Sequence, residues 1–336
     1  MKPTVILAPA PQRRDRIFTS EALAALHDRY DVVDLEERPD ADLGEHLPRA
    51  FAVIGQPDLG TAALESAREL RVIANVEGNF FPNVDYATAF RHGVRVLSCG
   101  PAYAGAVSEY ALALALDLAR GISREDRAAR RGEERYFGAG NDDAVLLSRA
   151  NIGILGFGNL GRATAELLAP FRPRLRVYDP WLPASVVAAS GGEPSSLDET
   201  LRQSDIVFVF ATVTSESTHM LDRRTLGLLP DRARLILVSR AAVVDYDALL
   251  AELSTGRLYA AVDVWPEEPL PAGSPFRTLD NVILSAHRAG GIPQAYALIG
   301  DMVVDDLALI EQGLPPVRMQ QASPELVGRY RNRPVT

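Results

Sequence analysis

Short runs of valine, isoleucine and leucine recur along the first hundred residues: TVILA at Thr4, DVVDL at Asp31, FAVIG at Phe51, RVIANV at Arg71 and VRVLS at Val94. Stretches of helical period separate them, and near-continuous apolar strands alternating with helices predict a parallel sheet covered on both faces. A long helical pattern follows over 106–131, AVSEYALALALDLARGISREDRAARR, apolar at first and strongly charged toward its end. Its second half is expected near solvent or against another subunit. A second alternating series opens at Asn151 and ends near Ala286, with NIGILG, LRVYD, DIVFVF, RLILVS, LYAAVDV and NVILSA as its strands. From Pro293 the pattern predicts one long helix, stopped by Gly313 and the prolines Pro315 and Pro316.

Two α/β series in 336 residues predict two domains. The formal net charge of −9 gives no electrostatic reason to approach a nucleic-acid backbone or an anionic membrane, so neither partner is expected. A single cysteine, Cys99, cannot form an internal disulfide, and the first residues are too poor in apolar side chains for a signal peptide, which points to the cytoplasm. The apolar stretch YALALALDLA at Tyr110 is too short to span a bilayer and carries Asp117.

The second series begins with a recognisable turn. In NIGILGFGNLGRATAELL, Gly156, Gly158 and Gly161 have the spacing G-x-G-x-x-G, with Asn159 and Leu160 between the last two, and the segment lies between a strand and a helix. A dinucleotide needs a tight turn at the first glycine, a bare backbone at the second where the pyrophosphate approaches, and close helix-to-strand packing at the third. A tight βα turn with no ligand is the plainer reading of the glycines alone. Asp179 weighs against it, because it ends the next strand 18 residues past Gly161, close to the position of an acid that binds the adenosine ribose hydroxyls. A carboxylate there also repels the extra phosphate of NADP, so NAD is expected as cofactor, although Arg174 and Arg176 lie just upstream.

Three ionisable residues fall at or just past predicted strand ends: Arg240 in LILVSRAAVVDYDALL, Glu268 in VDVWPEEP and His287 in VILSAHRAGG. Open α/β sheets bind ligands beyond the carboxyl ends of their strands, so the three can converge. Each has a dull alternative: Arg240 a solvated strand end, the acids an exposed turn, His287 a packing histidine. Together they fit the reduction of a 2-oxo acid by a nicotinamide. Histidine donates a proton to the carbonyl oxygen, a partner carboxylate keeps the imidazolium in place, and arginine clamps the neighbouring carboxylate through two parallel N–H groups.

GILGFGNLGRA, VYDPW, LLPDRARLILVSRAAVVDYDALLAEL, AVDVWPEEPLPAGSPFRTLDNVILSAHRAGG and VSEYALALALDLARG together resemble the D-isomer-specific 2-hydroxyacid dehydrogenase family, over most of the chain from about Glu77 onward. The resemblance implies two Rossmann-like or flavodoxin-like domains with doubly wound parallel sheets. An NAD-binding domain, expected over 105–288, is inserted in a substrate domain made of 1–104 and 289–336. It implies a catalytic Arg240, Glu268 and His287, and a homodimer joined through the NAD domains. Cofactor contacts are expected at Gly156, Gly158, Asn159, Leu160, Gly161, Asp179, Ala211, Ser239, Arg240, Asp263 and His287. Substrate contacts are expected at Gly78, Asn79, Arg240 and His287, and no metal is expected. In the family the catalytic glutamate lies five positions after the strand-end aspartate and just before a proline. Counted from Asp263 this is Glu268 and not Glu267, with Asp263 itself also read as support for the strand end.

In that family backbone N–H groups of a loop in the first domain hold the substrate carboxylate; here the loop is VEGNFFPNVDY, with Gly78 and Asn79 as contacts. Phe80 and Phe81 either wall the substrate pocket or belong to the core. An acid beside an anion site repels dianionic substrates, so Glu77 points to a polar or hydroxylated substrate tail, the alternative being a loop-surface glutamate. Three departures mark a divergent subgroup: Ala241 stands after the arginine where glycine is usual, Ala286 before the histidine where proline is common, and ATVTSESTHML lacks a familiar proline. The leading expectation is therefore an NAD-dependent enzyme interconverting a 2-oxo acid and a D-2-hydroxy acid. The alternatives are a phosphite-type dehydrogenase on the same scaffold, which keeps the triad, and a non-catalytic NAD-sensing protein resembling corepressors.

Overall fold

A computed structural model describes residues 2–38 and 41–328. Its contacts divide into two compact units, one drawn from residues up to Tyr103 and from Gly291 onward, the other from Ala104 to Gly290.

In the first unit the apolar runs form β1 (Thr4–Ala8), β2 (Asp31–Asp34), β3 (Ala50–Gly55), β4 (Val72–Asn75) and β5 (Arg95–Ser98). They pair in parallel in the order β2-β1-β3-β4-β5, so the direction of strand succession reverses between β1 and β3. Alternate residues serve opposite faces, as the strand period of two requires. Val5, Leu7, Ala52 and Ile54 pack with Ile299, Val303 and Leu307 of the Pro293–Glu311 helix, whereas Ile6, Val53, Ile73 and Val96 pack with Leu64 and Tyr86. At Gly300 a Cβ would fall 2.7 Å from the Ile17 carbonyl, so only glycine lets that helix approach the Arg14–Ile17 turn so closely.

After this helix the chain returns to the sheet as an antiparallel edge strand, Gln320–Gln321, beside β5. The fully buried carboxylate of Asp306 holds the return by accepting the backbone N–H of Val317 at 2.8 Å, Arg318 at 3.1 Å and Met319 at 2.7 Å. The hydrophobic pattern carries no sign of this strand.

The second unit contains β6 (Asn151–Leu155), β7 (Arg174–Tyr178), β8 (Glu193–Pro194), β9 (Ile206–Val209), β10 (Arg234–Leu237), β11 (Tyr259–Val262) and β12 (Val282–Leu284). All pair in parallel, in the order β12-β11-β10-β9-β6-β7-β8, which reverses between β6 and β9. Six match the runs read from sequence. The two-residue β8 is an addition at the sheet edge, too short to leave a pattern.

The single helix expected over 106–131 is two helices, Ala104–Arg120 and Ile122–Arg131. Gly121 breaks it with a left-handed φ of 67°, and the Asp117 carboxylate accepts the Ser123 N–H at 2.8 Å just beyond. The first helix buries Val107, Ala111, Leu114 and Ala115, and the second buries nothing.

Candidate active site

The reversal between β6 and β9 is occupied by the glycine turn. Gly156 has φ 90°, and a Cβ there would lie 2.7 Å from the Ala211 nitrogen, which follows β9. At Gly161 a Cβ would lie 2.4 Å from the Gly156 carbonyl oxygen, so the Asn159–Leu168 helix can rest against the turn only because that residue is glycine. Gly158 is the opposite case: a Cβ there meets nothing within 4 Å. Two glycines are thus required by the protein's own packing and the third is left bare beside the helix N-terminus, where unpaired N–H groups favour a phosphate. Leu160 is half-buried in the first turn, and Asn159 is exposed next to Gly158.

Asp179, just past β7, is fixed against this turn. It accepts the Phe157 N–H at 2.8 Å on one oxygen and the Trp181 and Leu182 N–H groups at 3.0 and 3.2 Å on the other. Arg174 is the first residue of β7, roughly 16 Å of extended strand from Asp179 at about 3.3 Å per residue. Arg176 lies within the strand, paired in register with Gly153 and Glu193. The acid at the ribose position therefore has no arginine from its own strand beside it, and the cradle fits NAD.

At the other end of the sheet, His287 Nδ1 and Glu268 Oε2 are 2.8 Å apart, and the other glutamate oxygen accepts the Trp265 N–H at 2.9 Å. Burial opposes ionisation of Glu268, but the hydrogen bonds from His287 and from the Trp265 backbone, with the charges of His287 and Arg240, outweigh it and hold its carboxyl below the ordinary glutamate value. Glu267 is exposed and makes no bond to any described residue.

His287 adopts φ 52°, a left-handed conformation that costs a residue with a Cβ roughly 1–2 kcal/mol. Asp263 holds it there. This fully buried carboxylate accepts the Arg288 and Ala289 N–H groups at 2.8 and 3.0 Å and the Ser285 hydroxyl, while its carbonyl accepts the His287 N–H at 2.7 Å. Its side chain is thus engaged under the histidine loop, in a supporting place. Ser285 also pairs with the Tyr110 hydroxyl at 2.7 Å, and its carbonyl accepts Trp265 Nε1 at 2.8 Å.

Sequence reasoning missed Tyr110, Trp265 and Ser285. The only local signal was their spacing: Trp265 and Ser285 lie two residues after Asp263 and two before His287.

Arg240 is exposed just past β10, its Nη1 donating to the Ser239 carbonyl at 2.7 Å, and its charge is felt at Glu268. Ser239 is buried, with its hydroxyl meeting no hydrogen-bond partner among the described residues. In the first unit, Gly78 and Asn79 occupy the bend after β4, where a Cβ at Gly78 would lie 3.4 Å from the Tyr103 ring. Phe80 belongs to the core, edge-on to Tyr86, which decides against a pocket wall at that position; Phe81 is half-buried. Among the described residues no cluster of histidine, cysteine, aspartate and glutamate is arranged for a metal, and no helix is long and apolar enough to cross a membrane.

A dinucleotide cradle at one strand-order reversal, with a carboxylate-supported histidine on the same sheet, defines an NAD-binding α/β oxidoreductase. The profile of the D-isomer specific 2-hydroxyacid dehydrogenase NAD-binding domain matches residues 112–289, and the chain belongs to that family. It is 30% identical over 332 residues to a glyoxylate reductase of Aeropyrum pernix, covering 94% of this chain and 97% of that one. To D-3-phosphoglycerate dehydrogenase of Methanocaldococcus jannaschii it is 28% identical over 255 residues, covering 74% of this chain and 47% of that one. Among solved structures, a phosphoglycerate oxidoreductase from Rhizobium etli superposes with a TM-score of 0.86 at 44% identity, covering 96% of this chain and 99% of that one.

Proposed function

We propose that the protein interconverts a 2-oxo acid and a D-2-hydroxy acid, with His287 as the acid–base group, Glu268 as its partner and Arg240 as the ligand of the substrate carboxylate. The observation that carries this reading is the 2.8 Å bond between His287 Nδ1 and Glu268, whose other oxygen is tied to the Trp265 backbone. NADH, when bound, supplies the hydride for the carbonyl carbon. With Glu268 accepting the Nδ1 proton, Nε2 is left to deliver a proton to the ketone oxygen in reduction and to withdraw one from the alcohol in oxidation. The half-exposed ring regains its proton from solvent. Arg240 orients the substrate through its carboxylate and draws electron density from the adjacent carbonyl. Gly78 and Asn79 are proposed as substrate ligands in the first unit.

Gly156, Gly158, Asn159, Leu160 and Gly161 would hold the pyrophosphate and Asp179 the ribose, with Ala211 and Ser239 as further cofactor contacts. A homodimer joined through the second unit belongs to the same proposal. It is supported by the Ile122–Arg131 helix, which buries no side chain, and by Tyr136, Phe137 and Leu146, exposed to 70, 98 and 68%. A reducing compartment such as the cytoplasm suits the lone buried Cys99.

The test is NADH consumption against 2-oxo acids of varied length, charge and hydroxylation, with phosphite and NAD as the control for the other chemistry. Reduction of at least one 2-oxo acid, abolished in His287→Gln with NADH affinity retained, is expected. Tight NADH binding with turnover of no 2-oxo acid would defeat the proposal.

A further inference from the structure

The first unit has a strand-order reversal of its own, between β1 and β3, and the carboxyl ends of its strands are where an open α/β sheet takes a ligand. The loop after β1 brings Gln12 and Arg16 to that edge, the bend after β4 brings Glu77, and Tyr103 and Tyr296 follow from the turn after β5 and the start of the Pro293–Glu311 helix. Gln12 Nε2 donates to Glu77 Oε1 at 2.6 Å, although 65 residues separate them. The second Glu77 oxygen and the Gln12 carbonyl oxygen bond to no described residue.

Arg16 stands apart from its neighbours. Arg13 pairs with Asp15, and Arg14 with Asp34 and Glu37, but the exposed Arg16 guanidinium meets no carboxylate among the described residues. It lies 3.9 Å over the centre of the Tyr296 ring instead, with its donors meeting no acceptor among the described residues. Tyr296 in turn packs edge-on to Tyr103, which borders Gly78. Among the described residues, a cation that meets no carboxylate and two acceptors that meet no donor are therefore arranged around a single stretch of that edge.

The donor and acceptor inventory distinguishes the groups such a cluster takes. A phosphate dianion offers no proton to Glu77 or Gln12 and is repelled by the first. An alkyl chain would strip water from three polar groups and return nothing. Hydroxyl groups do both tasks, donating to the two acceptors and accepting from Arg16. We propose that Gln12, Glu77 and Arg16 form a subsite for the hydroxylated tail of the substrate, so that the preferred 2-oxo acids carry hydroxyls on the carbons beyond the ketone. This rests on the 2-oxo acid reading above.

The experiment compares kcat/KM with NADH for glyoxylate, 2-oxobutyrate, hydroxypyruvate, 2-oxogluconate and 3-phosphohydroxypyruvate in the native protein, Glu77→Gln and Arg16→Gln. The hydroxylated acids are expected to exceed 2-oxobutyrate by tenfold or more, and each variant to cut that ratio at least fivefold, mainly through KM. Glu77→Gln, which removes the repulsion, should also raise the relative use of the phosphorylated acid. A native preference for the phosphorylated acid, or a ratio that neither variant moves, would overturn the subsite while leaving 2-oxo acid reduction in place. Turnover of none of the five would remove both.

Discussion

Replacing Glu268 with Gln keeps the shape of the side chain and, with the amide oxygen on His287 Nδ1, an acceptor for the histidine, but removes the charge and the acceptor of the Trp265 N–H. Two unit charges about 4 Å apart interact by about 1 kcal/mol at the dielectric of water and about 4 kcal/mol at an effective value of 20. The side chains of His287 and Glu268 are 49 and 38% exposed, which places the pair toward the aqueous limit. The charge therefore contributes roughly 1.4 kcal/mol to the pair, equivalent to about tenfold in rate.

The carboxylate holds the His287 ring through Nδ1, so loss of its charge should lower kcat/KM for reduction about tenfold with NADH affinity retained. In the native protein the Glu268 carboxyl is held below the ordinary glutamate value. The pair's contribution to stability is therefore present above that ordinary value and lost as pH falls through the lowered one. The assay is initial NADH oxidation across pH, with Glu267→Gln in parallel, since Glu267 bonds to no described residue. A kcat/KM that is unchanged in Glu268→Gln, or falls equally in Glu267→Gln, would refute the assignment.

The glycines should separate by measurement: Gly158→Ala meets no atom within 4 Å and should unfold within about 0.5 kcal/mol of the native protein in urea yet lose tenfold or more in NADH affinity, whereas Gly161→Ala, 2.4 Å from a carbonyl, should lose about 2 kcal/mol or more of stability. Asp263→Ala strands three donors, one of them buried, and should cost about 3 kcal/mol in the same denaturation, with turnover falling because His287 is no longer held at positive φ. Arg240→Lys preserves charge but not the planar fork. It should cost about a hundredfold in kcat/KM for a 2-oxo acid with NADH affinity little changed, read by steady-state kinetics and fluorescence titration.

The strands of both units and the glycine turn were legible because their signals are local. A buried parallel strand needs an apolar run, and a turn against a phosphate needs bare backbone at set positions. Glu268 was separated from Glu267 by spacing alone, through the family resemblance, and the structure places only Glu268 on His287. The break at Gly121 was less legible, because one glycine in an apolar and charged pattern is also tolerated inside a helix; its left-handed φ depends on how the chain turns there. The edge strand at Gln320–Gln321 left no trace, since two polar residues are set in place by Asp306 from the preceding helix.

By itself the sequence determined the two α/β series, the dinucleotide turn with its acid, and the order of arginine, glutamate and histidine, because each is written in neighbours a few residues apart. Only the tertiary structure decided that Asp263 and Ser285 clamp the histidine loop, that Tyr110 reaches Ser285 across 175 residues, and that Gln12 meets Glu77 across 65. Those partners carry no periodicity and share no motif. They meet because burying both faces of each sheet brings the ends of distant strands together, and a buried carboxylate must then find donors wherever the packing supplies them.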